Sequence, residues 1–231
     1  MLMAVTAGKR TLAGALPSAR LARYVAAQIA RLFPDGQRGL EAAIARHLPA
    51  PLARLERCLA GCRNPYFRRD GELFFDHLQS DQYSMFLYLL SHEAAQGGEA
   101  ERPLATKCFL LNKALHGLDV YFEVELPEVF LFAHPVGTVL GRAKYGEGFM
   151  AMQNCTVGNI GGYYPEFGRH VILCAGSVVL GASKLGDGVC VGAGTLLVNA
   201  EIPAGSTVIG RSPDVRVLRE PTTLWRDYFT A

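Results

Sequence analysis

The sequence predicts an α+β chain in which an α-helical N-terminal domain is followed by a left-handed parallel β-helix. Three observations predict it. Apolar residues keep helical spacing through the first half, the pattern changes at Gly117, and an aliphatic residue then recurs at every sixth position. The boundaries that follow are 1–116 for the helical domain, 117–215 for the β-helix with a protruding loop at 159–166, and 216–231 for a C-terminal tail.

The helical half is read from its period and its breakers. Leu21, Tyr24, Val25, Ile29 and Leu32 share one face of a helix from Pro17 to Leu32, with Ser18 as its cap. Phe33-Pro34-Asp35-Gly36 stops it. Further helices are predicted over Leu40–Leu48 and Pro51–Leu59, then after a break at Asn64-Pro65 from Asp81 onward, and last over Pro103–Leu115. Asp81 suits a helix start, with Ser84 nearby.

In the second half, Leu173, Val179, Leu185, Val191, Leu197, Pro203 and Ile209 follow one another at six-residue steps. Four places after the first six come Ser177, Ser183, Val189, Thr195, Glu201 and Thr207, mostly small or β-branched. This is a hexapeptide repeat. Three hexapeptides make one triangular coil, with aliphatic side chains stacked inside and tight corners that favour small residues or glycine. Val157 and Phe167 are ten apart, so four extra residues are pushed out as the loop. Tyr145 and Leu140 are less regular members of the series.

Composition narrows the function classes. The 231 residues carry a net charge of +2 with no basic block, which argues against nucleic acid as a partner. The six cysteines, Cys58, Cys62, Cys108, Cys155, Cys174 and Cys190, form no zinc-like spacing and read as reduced core thiols. No apolar stretch of signal-peptide or membrane-span length follows Lys9 and Arg10, so a cytoplasmic protein is expected. No metal motif, P-loop or dinucleotide fingerprint is present.

Acyl transfer to a hydroxyl or amine needs a base, a group that orients it, and N–H donors for the oxyanion. Only His134 and His170 fall in the repeat half. Asp119, fifteen residues before His134, falls on the neighbouring coil and is the candidate orienting acid. Glu123 and Glu125 are alternatives, although strand alternation puts them on a solvated face. His170 is predicted on an exposed prism turn, and Cys155 has no histidine near it in sequence to make it a nucleophile.

Gly117-Leu118-Asp119-Val120, then Pro127, His134 and Gly137, resemble the start of the β-helix in serine O-acetyltransferases. Gln153-Asn154-Cys155-Thr156-Val157-Gly158 and Asp81-Gln82-Tyr83-Ser84 resemble two more stretches of that family. The resemblance runs from about Asp81 to Val217. It implies acetyl-CoA as co-substrate, His134 as general base, Asp119 as its partner and Asp81 at the acceptor's amine. It further implies an oxyanion donor near Gly158 and CoA along the Ala175-Gly176 and Ala193-Gly194 turns. Arg211 and Arg216, after the last rung, are candidates for CoA phosphates. A homotrimer, or a dimer of trimers, is expected from the general behaviour of such prisms.

Two positions depart from the family. Ala133 stands where it has an Asp, and Tyr164, before Pro165, stands where it has a His. These changes predict a kept transfer machinery and a rewritten acceptor pocket, with Tyr164 in contact with the acceptor. A sugar or nucleotide-sugar acceptor is therefore an alternative to serine, and a non-catalytic trimeric scaffold is a third reading. The family's C-terminal isoleucine, which docks into a partner of cysteine synthesis, has no counterpart in Phe229-Thr230-Ala231, so that partner is not expected.

Overall fold

The computed structural model describes residues 12–218 and 222–230. Lys9 and Arg10, and positions 219–221 and 231 of the predicted tail, lie outside the described residues. Five helices build the first half: α1 Ser18–Leu32, α2 Leu40–His47, α3 Pro49–Ala60, α4 Ser80–Gln96 and α5 Arg102–His116. Ser18 is the first residue of α1 and makes no capping bond, because Pro17 holds the cap position with its fixed φ. Gln79 caps α4 by accepting from the Gln82 N–H at 2.7 Å, so Asp81 falls inside the first turn, where its side chain is free for other work. Every residue of α4 from Asp81 to Ser91 is buried, which makes it the central helix of the domain.

A small sheet joins this domain in the order β1-β3-β2, from Ala13–Gly14 (β1), Arg68–Arg69 (β2) and Glu72–Phe75 (β3). The sequence reading has no strand before Gly117. Strands this short carry too few residues to show a period of two.

The second half is a parallel β-helix whose three faces differ in chemistry. The first face stacks β4 Phe130–Phe132, β6 Phe149–Ala151, β9 Ile172–Leu173, β12 Cys190–Val191 and β15 Thr207–Arg211. Its outward row, Leu131, Met150, Ile172 and Cys190, is buried. The second face stacks β5 Val139–Leu140, β7 Thr156–Gly158, β10 Val178–Leu180 and β13 Leu196–Val198. Its outward row runs Val139, Thr156, Val178, Leu196 and ends at Arg211. The third face stacks β8 Glu166–Phe167, β11 Lys184–Leu185 and β14 Glu201–Ile202. With Lys144 bridged to Glu166 it shows a ladder of alternating charge, Lys144, Glu166, Lys184 and Glu201.

The six-step register holds from Leu173 to Leu197 and then slips by one. Lys184 pairs with Glu201 and Cys190 with Thr207, so this coil has 17 residues. Ile202 (3 % exposed) and Val208 (0 %) fill the core, while Pro203 points out and Ile209 is 38 % exposed. The buried corner residue is likewise Ser206, not Thr207. The physical reason is a shorter corner. Leu197 and Ile202 are joined through Asn199, left-handed at φ 51, and the Ala200 N–H reaches down to Ser183 Oγ at 3.1 Å.

After β15 the chain reverses into β16 Asp214–Leu218, antiparallel to it. It returns as α6 Trp225–Tyr228 across the first face. Trp225 stacks on His170 with centroids 4.2 Å apart and rings 5° from parallel. His170 is thus half-buried under an indole, not freely exposed, and burial lowers its pKa. Phe229 is buried, the Arg63 N–H donates to Tyr228 O at 2.7 Å, and the Thr230 N–H donates to Gly61 O at 2.9 Å. Residues 222–230 therefore strap the prism to the helical domain.

Ile202→Ala should cost about 2–5 kcal/mol of unfolding free energy, the usual range for a buried aliphatic truncation. Pro203→Ala should stay within about 0.5 kcal/mol, as for an ordinary surface change. Paired denaturant curves check both. The opposite ranking would restore the unbroken six-residue register.

Candidate functional site

His134 sits at the corner between β4 and β5. Phe132 and Leu140, both inside the prism, are eight residues apart there, whereas Ala151 and Val157, Leu173 and Val179, and Val191 and Leu197 are six apart. Two extra residues therefore bulge outward, and His134 rides on the bulge. Its backbone is left-handed at φ 51, uncommon for a residue with a Cβ, and Pro135 follows it. Strain of this kind costs of order 1–3 kcal/mol and persists only where the surroundings hold it. Both backbone groups of His134 are held. Its carbonyl accepts from the Val136 N–H at 2.7 Å, and its N–H donates to Asp81 Oδ1 at 3.0 Å. A hydrogen bond to a charged acceptor contributes about 1.5–3 kcal/mol, enough to offset the strain. The residue remains exposed, so its imidazole faces solvent from a fixed base.

Asp119 lies one coil away, bridged in parallel to Val139, five residues past His134. Its Oδ2 accepts from Lys113 Nζ at 2.6 Å. Among the described residues no hydrogen bond joins the Asp119 carboxylate to the His134 ring. Glu123 and Glu125 are exposed. Glu123 is claimed by Arg102 at 3.0 Å and Arg142 at 2.8 Å, and these two guanidinium groups hold its carboxyl below the usual range. Neither glutamate approaches His134 by a hydrogen bond.

The last turn of α5 completes the corner from below. Gly117, the C-cap of α5, accepts at its carbonyl from the Gly137 N–H at 3.1 Å. Gly137 itself is left-handed at φ 74, and a Cβ there would collide with Asn154 Oδ1, so glycine is required. Lys113 and His116 were not singled out in the sequence. Their only signal was basic residues in the last turn of a helix, which ordinarily complement the helix dipole. His116 Nδ1 donates to Asn112 Oδ1 at 2.8 Å, and its ring meets Tyr83 edge-on at 5.9 Å. Burial lowers its pKa to about 4.

The remaining predicted residues fall in two groups. Ala175, Gly176 and Ala193 are on the His134 corner. The Asn154 N–H donates to Val136 O, Gly176 to Gln153 O and Gly194 to Ala175 O, so these turns stack coil upon coil. Arg211 closes the outward row beside this column, four strand spacings of about 4.8 Å from Val139, or roughly 19 Å. Gly158 and Tyr164 are on the next corner, at the far end of the second face. Gly158 ends β7, and the loop beyond it is pinched by paired bonds between Ile160 and Tyr163. Tyr163 and Tyr164 are exposed and line a cavity of about 650 Å³ with Arg142, Lys144 and Lys184. Within one chain the prism face separates this loop from His134. Cys155 is buried against the carbonyls of Leu173 and Cys174, and burial raises its thiol pKa. Among the described residues no cluster of histidine, cysteine or acid suits a metal ion, and no helix is long and apolar enough to cross a membrane.

Fold and site together define a hexapeptide-repeat β-helix protein with a helical domain packed on one face of its prism. No family model matches the chain. In sequence it is similar to curated serine acetyltransferases. It is 28% identical over 105 residues to that of Helicobacter pylori, covering 43% of this chain and 61% of that protein. It is 24% identical over 133 residues to that of Staphylococcus xylosus, covering 55% and 60%. The chain thus spans 61% or less of the length of these relatives. In structure it is similar to the serine acetyltransferase of Neisseria gonorrhoeae, with a TM-score of 0.69 at 18% identity over 89% of this chain and 80% of that one. Another similar structure is a serine acetyltransferase in complex with CoA, with a TM-score of 0.65 at 16% identity over 86% and 83%. Likeness at this identity shows the fold.

His116 sets a pH dependence whose sign is fixed by its neutral folded state. An unfolded His titrates near 6.5 and the folded one near 4. Its contribution is therefore complete above pH 6.5 and lost as pH falls towards 4. His116→Gln should remove about 1–3 kcal/mol of the stability loss between those pH values, after discounting for the ring's partial solvent contact. Denaturant curves of both proteins across that window measure it.

Proposed function

We propose that the protein is an acetyl-CoA-dependent O-acetyltransferase acting on serine or a serine-like small hydroxyl acceptor. The observation that carries this reading is the His134 corner: an exposed imidazole on a two-residue bulge, with its backbone pinned at both ends. The similarity to serine acetyltransferases in sequence and fold supports it. A base held in one geometry before the substrate arrives lowers the cost of reaching the transition state.

In the proposed reaction His134 takes the hydroxyl proton as the acceptor oxygen attacks the thioester carbonyl of acetyl-CoA. Collapse of the tetrahedral species breaks the C–S bond. The thiolate leaves and takes back the proton from the imidazolium. Asp119 supplies negative charge near the imidazolium, released from Lys113 as the site fills. Backbone N–H groups near Gly158 face the oxyanion. CoA runs along the Ala175-Gly176 and Ala193-Gly194 turns, with Arg211 at its phosphates.

The two corners carrying these residues are apart in one chain, so the proposed site forms between protomers. The second face supports a homotrimer, since Val139, Val178 and Leu196 point outward from it and, among the described residues, no helix lies over them. The acceptor then occupies the space between His134 of one protomer and the Tyr164 loop of the next. The cavity under Tyr163 and Tyr164, with three basic side chains around it, keeps a sugar or nucleotide-sugar acceptor as the second reading. The scaffold reading leaves the pinned His134 without a purpose.

Thiol release from acetyl-CoA, measured with L-serine, homoserine and a panel of sugars and nucleotide sugars, identifies the acceptor. His134→Ala should lower the rate with the best acceptor by about 10²–10⁴-fold, with CoA affinity retained. An unchanged rate would remove His134 from the reaction. Leu196→Asp together with Val178→Asp should convert a particle of three 25.0 kDa chains into a monomer by light scattering, and transfer should be lost with it.

A further inference from the structure

Among the described residues Asp81 is the one acidic side chain whose carboxylate is hydrogen-bonded to the His134 residue, and it comes from the helical domain, 53 positions away. The resemblance put this residue at the acceptor's amine. Its surroundings give it a further task. Asp81 is 4 % exposed, and its Oδ1 is already occupied by the His134 N–H. Ala133, where the family has a second acid, leaves no partner beside it for an ammonium group.

The segment around Asp81 is fixed from three sides. Gln82, fully buried, donates through Nε2 to Tyr66 O at 3.2 Å and accepts at Oε1 from the Asp76 N–H at 2.9 Å. It thereby locks both ends of the β2–β3 hairpin to the first turn of α4. Ser84 Oγ donates to Asp81 O at 2.9 Å, and Asn112 Nδ2 on α5 donates to Ser84 O at 2.9 Å. Asp81 is thus the outlet of a rigid polar network, and what it grips is the one backbone N–H of a left-handed, proline-preceding turn.

We infer that Asp81 is a positioning residue. By accepting from the His134 N–H it holds the left-handed turn that aims the imidazole, so that the helical domain is a working part of the active site. The inference rests on the proposed role of His134 as base. It requires a hydrogen-bond-accepting oxygen at position 81 and does not require a negative charge there.

Two substitutions separate these roles. Asp81→Ala removes the acceptor oxygen, and Asp81→Asn keeps an oxygen but removes the charge. With the best hydroxyl acceptor, Asp81→Ala should lower kcat about 10- to 100-fold with acceptor KM within about threefold. Asp81→Asn should restore most of that kcat. A direct readout independent of turnover is the backbone amide proton of His134 in protein labelled with 15N-histidine. There are six histidines in the chain, and the His134→Gln variant assigns the peak. The His134 amide should lie downfield in the wild type, move upfield in Asp81→Ala, and stay close to its wild-type position in Asp81→Asn. An unmoved amide in a folded Asp81→Ala protein overturns the inference even if His134 is the base. Equal loss in both variants, expressed in acceptor KM alone, overturns it in favour of a charge contact with the acceptor. An amide that moves as expected while His134→Ala retains full turnover would uphold the hydrogen bond and sink the proposed base.

Discussion

A coil of the β-helix can bury only what fits inside a triangle of short strands, so each inward position must be apolar and each corner must turn within a few residues. The stack Phe132, Ala151, Leu173, Val191 and Val208 meets the first demand on one face, and Leu140, Val157, Val179 and Leu197 on another. Because the core tolerates no slack, any extra residues are expelled at a corner. The two bulges of the prism, at His134 and at residues 159–165, are such expulsions, and both carry residues of the proposed site. A rigid column thus presents two irregular loops at set heights and set corners.

The three faces divide the remaining work. The first is covered by the helical domain and by the returning strap of Trp225 and Phe229, which ties the two halves of the chain together. The third is a ladder of alternating lysine and glutamate. Glu166, for example, is held below the usual range by Lys144 at 3.0 Å. Such exposed pairs add little stability but keep the face soluble. The second is mostly aliphatic, is not covered by any described helix and ends in Arg211, which suits the proposed contact with another copy of the chain and a long phosphorylated ligand beside it.

Much of this was legible in the sequence because a hexapeptide repeat is long and strict. Leu173 to Leu197 could be read without a structure, and so could the expelled loop between Val157 and Phe167. The slip at Ile202 was hidden because Pro203 and Ile209 are themselves apolar, so a pattern of residue types passes over a deleted corner residue. The left-handed corners at His134, Asn154, His170 and Asn199 were hidden because asparagine and histidine enter that conformation more often than other side chains but far less often than glycine. The hydrogen bond from the His134 N–H to Asp81, the Lys113–Asp119 pair and the His170–Trp225 stack join residues with no periodic relation, and sequence spacing carries no trace of them. The repeat did place His134 in the β-helix half of the chain. It did not show that the helical half would reach across to hold it.

The central claim is that the site lies between the His134 corner of one protomer and the Tyr164 loop of the next. A crystal structure of the protein with CoA tests it most directly. The account predicts a trimer with the CoA sulfur within contact distance of His134, the pantetheine arm along Ala175, Gly176 and Ala193, and the neighbour's Tyr164 loop closing the cleft. CoA lying along the charged third face, or bound to a chain whose second face remains open to solvent, would contradict it.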